Sequence, residues 1–175
     1  TTGDNILLFS GAVDSATGET NNITVNAGTS KLQIGSTADV GAAVGVGTIA
    51  VTGQLDLDGT ISDAAALTVS LTSNIGNNVT TTGVQTYTGA ATLSANSTLT
   101  TTNSTIDFGG DVSGAFDLTA SVGSGEVEFS STVGANAAVS DITITGSLDL
   151  NGDIKNAAAA GAATVSVSDK STLNG

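Results

Sequence analysis

The sequence predicts an all-β fold, a right-handed parallel β-helix (β-solenoid) of about eight coils. Three observations lead there. Apolar residues come in short runs that alternate with small polar ones, the period of a strand. The runs are punctuated by Gly, Asn, Asp and Ser rather than by Pro, which is absent. The chain has 23 Gly but only four Phe, one Tyr and no Trp, so the core must be narrow and filled by branched aliphatic side chains. A thin core repeated along an axis suits that supply better than one large globular centre.

In chain order the runs are Ile23–Val25, Leu32–Ile34, Ile49–Val51, Leu55–Leu57, Leu67–Leu71, Val127–Phe129, Ile142–Ile144 and Leu148–Leu150. Each places two or three apolar residues on one side of a strand about three to five residues long. Helix signals are nearly missing. The Ala-rich stretch Ala157–Ala163 is broken by Gly161 and carries no apolar periodicity beyond Ala itself.

The chain repeats internally. Val51 to Gly59 (VTGQLDLDG) returns as Ile144 to Gly152 (ITGSLDLNG), 93 residues on. Leu32–Ile34 matches Val127–Phe129 and Ile23 matches Leu118, both 95 residues on, while Phe9 to Val13 matches Phe108 to Val112 at 99. The expectation is a single solenoid over 1–175, made of two imperfect repeats, about 1–100 and 101–175. The drift of the offset places insertions in the turns. The first copy holds roughly 22 extra residues within Leu71 to Thr98, near the length of one solenoid coil. Ser171 to Gly175 followed by Thr1 to Ile6 reads much like Ser97 to Ile106. The expected partner is therefore another unit of the same kind, stacked end to end or joined covalently in a longer array.

Charge excludes several classes of partner. Sixteen acidic residues stand against Lys31, Lys155 and Lys170, with no Arg, for a net charge of −13. Nucleic acid and anionic membrane both call for cationic side chains, and no apolar run approaches the ~18 residues of a membrane span. There is no His for general base work, no Cys nucleophile and no Arg clamp, so the expectation is not an enzyme, with no catalytic residue to nominate. Paired Asp can serve a glycosidase, but these Asp recur with the repeat, as a surface pattern does.

The segment Thr80 to Leu93 (TTTGVQTYTGAATL), then Ile106 to Val112 (IDFGGDV), then Leu118 and Thr119 with Val127–Phe129 (VEF), resembles the repeats of filamentous-haemagglutinin-like exoproteins. Large autotransporter adhesins share the repeat style. The resemblance covers nearly the whole chain. It implies a right-handed parallel β-helix, secretion across a Gram-negative envelope to the cell surface or beyond, and a role in adhesion, aggregation or biofilm. It brings no catalytic residues. The functional expectation is a structural repeat unit of a fibre or adhesin stalk. The alternative is a module binding carbohydrate or a host surface, through glycans on host or neighbouring cells.

Weaker motifs complete the reading. Asp56 and Asp58, and likewise Asp149, Asn151 and Asp153, resemble fragments of calcium loops. Both lack the glycine-to-glutamate continuation that completes a calcium shell, so solvent-facing turns are the expectation, with calcium as the minority reading and no other cofactor. Thr80–Thr82 and Thr98–Thr102 suggest a threonine array of the kind found on ice-binding solenoids. Along the sequence, however, the Thr-x-Thr pattern does not recur at a fixed coil position, and β-propensity accounts for the Thr content. Asn22, Asn78, Asn96 and Asn103 each open an Asn-x-Ser/Thr glycosylation pattern, as chance allows in a chain so rich in both residues.

Overall fold

An alternating run buries every second side chain, and in this chain the buried side chains of successive turns meet along three lines. The computed structural model describes residues 6–155 and 164–174. Within them every strand pairing is parallel, no helix forms, and the strands stack as eight coils of a β-solenoid. The Ala-rich stretch lies almost wholly outside the described residues.

Each coil has three sides, called faces I, II and III in chain order. The first inward position of face I runs Leu7, Leu32, Leu55, Ser73, Ala91, Val112, Val133, Ile154. Face II runs Val13, Val40, Ile61, Val79, Leu99, Ala120, Ile144, Val167. The last inward position of face III runs Val25, Val51, Val69, Tyr87, Phe108, Phe129, Leu150, Leu173. At a strand spacing of about 4.8 Å the stack is a rod about 40 Å long. One coil cannot cover its own inner side, so the core exists only as a stack.

The core is filled by complementary sizes. Tyr87, Phe108 and Phe129 stack face to face on face III, with ring centroids 5.1 and 5.2 Å apart and interplanar angles of 13° and 9°. In the coils of Tyr87 and Phe108, face I carries its two smallest inward residues, Ser73 and Ala91. Ser73 Oγ has no partner among the described residues, so it serves there by its size. Tyr87 brings a polar atom into this interior, and Gln85 answers it. Tyr87 Oη donates to Gln85 Oε1 at 3.0 Å, and Gln85 Nε2 donates to the Thr100 carbonyl at 2.9 Å. A buried hydroxyl left without that acceptor would cost about 1–3 kcal/mol. Burial also pushes the Tyr87 hydroxyl well above its ordinary pKa.

The eight apolar runs named above all fall in strands, with two corrections. Several strands are longer than expected: Ile23–Ile34, Val46–Leu57 and Leu118–Phe129 each hold 12 residues. Each runs through a bent corner where the register shifts and pairing with the next coil resumes on the far side. Leu71 does not continue the run from Leu67. That strand ends at Val69, and Leu71 sits exposed in the corner beyond it.

The two sequence copies lie on different faces. Leu32–Ile34 is on face I, whereas its match Val127–Phe129 is on face III; Ile23 is on face III and Leu118 on face II. Corner backbones match in the same shifted way. Gly28 and Gly123 have φ of 60° and 57°, and Gly53 and Gly146 have 146° and 132°. The first of each pair turns from face III to face I, the second from face II to face III. The second copy is thus turned by a third of a coil against the first.

Candidate functional surface

Outward positions are where such a rod meets its surroundings, and their content follows from register. Beside each inward column runs an outward one, displaced by one residue. On face III the outward column is Thr24, Ala50, Thr68 and Thr86 in the first four coils, then Asp107, Glu128 and Asp149. The three carboxylates stand directly over one another. Partial burial, with the neighbouring Glu128 second, holds the Asp107 carboxyl above its usual range. Ser130 Oγ donates to Glu128 Oε1 at 3.2 Å, and Asn174 Nδ2 donates to Asp149 Oδ1 at 2.9 Å.

On face I the equivalent place is neutralised. Lys31 Nζ lies 2.5 Å from Asp56 Oδ2, and Asn74 Nδ2 donates to Asp56 Oδ1 at 3.0 Å. Burial works to raise Asp56, but the Lys31 and Asn74 hydrogen bonds and the Lys31 charge outweigh it and hold the carboxyl below its usual range. The five calcium candidates are therefore split. Asp56 and Asp58 belong to face I and the turn after it, and Gln33 Nε2 donates to Asp58 at 3.2 Å. Asp149 and Asn151 are bridged by Asn174 on face III and its corner, four coils away, and Asp153 stands exposed beyond them. Among the described residues no three acidic side chains converge on one point.

Corners use most of the Asn and many of the Asp. At corner after corner, a side-chain oxygen accepts the backbone N–H of the coil that follows. Asn22 takes Thr48 N at 2.8 Å, Asn78 takes Thr98 N at 2.9 Å, and Asn96 and Asn103 take Asp117 N and Ser124 N, each at 3.0 Å. Asp14, Asp111, Asp117 and Asp141 do the same for Ala43, Thr132, Asp141 and Thr164. Thr164, through its N–H and hydroxyl, keeps the Asp141 carboxyl below its usual range. All four asparagines of the glycosylation patterns are such corner brackets. For Asn22, Asn78 and Asn96 the Thr two positions on is an outward strand residue, so solenoid geometry writes Asn-x-Thr without reference to sugar.

Face II overturns one reading of the sequence. Thr-x-Thr and its Ser variants do recur at a fixed position in the coil. Thr98, Thr119, Thr143 and Ser166 form one outward column, and Thr80, Thr100, Ser121 and Thr145 form the next. The coils that carry them differ in length, which hides the columns from any search at constant spacing. Only the main chain of these residues enters hydrogen bonds among the described residues, as when Thr98 N donates to Asn78 and Thr100 O accepts from Gln85. None of these eight residues is charged; lower in the first column stand Asn78, Thr60 and Asp39.

The chain matches no protein-family model, no curated protein and no solved structure. Its architecture is a β-solenoid of parallel coils.

Proposed function

We propose that this chain is a structural repeat unit of an extracellular bacterial fibre or adhesin stalk, and not an enzyme. The observation that carries the reading is the run of three inward ladders through all eight coils, with polar side chains spent on corners and columns rather than gathered in one cleft. A rod of this kind bears load through its backbone ladders and gains stability from each added neighbour. In the described residues the inward-column side chains Leu7 in the first coil, and Val165 and Leu173 in the last, are exposed and apolar. A further coil at either end would cover them, whether it came from the same polypeptide or from a second copy. The net charge of −13 keeps such rods apart sideways.

The glycan-binding alternative wants exposed aromatic rings to stack on sugars. Here three of the five aromatic rings, Tyr87, Phe108 and Phe129, are inside the core, which leaves Phe116 at the surface and Phe9 half-buried. Negative-stain microscopy of native material, together with its mass after denaturation, tests the proposal. Long rods are expected, built from very large chains if the array is covalent and from ~17 kDa chains if it is stacked. Discrete short particles that bind a glycan array would favour the alternative.

A further inference from the structure

We infer that the hydroxyl panel on face II is an ice-binding surface, its ligand the ordered water of an ice crystal face. The inference does not depend on the fibre role. Four features of the panel carry it. Its two columns are in register, so hydroxyls repeat every ~4.8 Å along the rod axis and about 6.6 Å along the strand. These two near-perpendicular repeats approach those of water oxygens on the prism faces of hexagonal ice. The outward side chains of Thr98, Thr119 and Thr143, with Thr80, Thr100 and Thr145 beside them, each offer a hydroxyl and a methyl. The hydroxyl gives one donor and two acceptor sites to lattice water, and the methyl orders the water that covers it.

The third feature is rigidity. Thr is stiff about χ1, and within the panel Thr119 and Thr143 have β-branched or Ser neighbours above and below, so their hydroxyls are held before the ligand arrives. The fourth is charge. None of the eight residues named in the two columns is charged; the nearest carboxylates, Asp117 and Asp141, flank Thr119 and Thr143 at the corner and are engaged with backbone N–H groups, and Asp39 lies three coils below Thr98 in the first column. An ion on the panel would orient water around itself and break the lattice. The first sequence copy keeps an uncharged outward stretch in the corresponding place on face III, where Thr24, Ala50, Thr68 and Thr86 precede the carboxylates. The named columns, about 20 Å long, are thus uncharged in both copies.

The test is partition into slowly grown ice, with recrystallisation in frozen solution as a second readout. Wild type is expected to enter the ice and to restrain crystal coarsening. The pair Thr119→Glu with Thr143→Glu is expected to lose both effects, down to those of an unrelated acidic protein. Thr119→Lys with Thr143→Lys is expected to lose them equally, since the lattice and not the sign of charge is at stake. The control pair Ser36→Glu with Thr92→Glu, away from face II, is expected to keep them. Circular dichroism melts of each variant establish that the solenoid is intact. The inference fails if wild type is rejected by growing ice, or if ice binding survives both face II pairs. It fails also if sedimentation shows copies associating through this panel in solution and the Glu pair abolishes that association, because the panel is then an interface between copies.

Discussion

Phe108→Ala puts the account of the core to its hardest test. Phe108 is fully buried in the fifth coil and is the only ring stacked on both sides, with Tyr87 5.1 Å below and Phe129 5.2 Å above. Truncating a buried Phe costs about 3–5 kcal/mol through lost transfer energy and the cavity left behind. Two stacked pairs vanish with it, each contributing about 0.5–1.5 kcal/mol beyond area. The backbone ladders above and below limit collapse into the space. The loss is therefore expected in the upper half of the range, about 4–5 kcal/mol. Equilibrium unfolding in urea, followed by far-ultraviolet circular dichroism, measures it. Because coil five sits in mid-stack, the transition is expected either to move as a whole or to split into two steps as the coils on each side uncouple. Phe116→Ala, at a ring 37% exposed in a corner, is the control and should move stability by less than about 0.5 kcal/mol. Equal losses for the two variants would refute the claim that the aromatic column holds the middle of the rod together.

Gly41→Ala should destabilise by well over 2 kcal/mol, since φ is +80° and the new Cβ would sit 2.0 Å from the Asp63 carbonyl; Gly28→Ala, at φ +60° with open space around it, should cost only the left-handed penalty of about 1–2 kcal/mol. Thermal melts of both separate close approach from conformation. Glu128→Gln should stabilise the protein at neutral pH by up to about 1 kcal/mol, because it removes the middle of three like charges in register. The folded-state pKa of Asp107 is raised, so its contribution is fully present below the ordinary Asp value of 3.8 and is lost as pH rises through the raised value. Melting temperature should therefore fall with rising pH across that window in wild type, on top of the opposite trend from Asp56 and Asp141, and fall less in Glu128→Gln.

The strand pattern was readable because alternation is local. Leu32–Ile34 or Ile142–Ile144 declares its inward side within three residues, and the Gly and Asn between runs declare the corners. Strand length was not readable, since at a bent corner such as Asn26 to Lys31 the register shifts and the ladder is resumed only through pairing with the neighbouring coil. The internal repeat was legible in residues but not in direction, because three chemically similar faces leave no mark of which one a run occupies. The threonine columns were hidden for a related reason: the steps from Thr98 to Thr119 to Thr143 to Ser166 are unequal, as corner loops of different length intervene. Tyr87, Phe108 and Phe129 are evenly spaced along the chain, as are Asp107, Glu128 and Asp149, and that regularity marks the aromatic stack and the carboxylate column.

The third-of-a-coil offset between the copies bears on any rod that continues in the same way. Each added copy would carry its uncharged outward strip one side further round, so that strip would wind along the shaft as a slow screw, returning to its starting side only after three copies. Such a shaft has no back. A neighbour approaching from any direction would meet the strip within a few copies, and twisting the rod about its axis would not hide it.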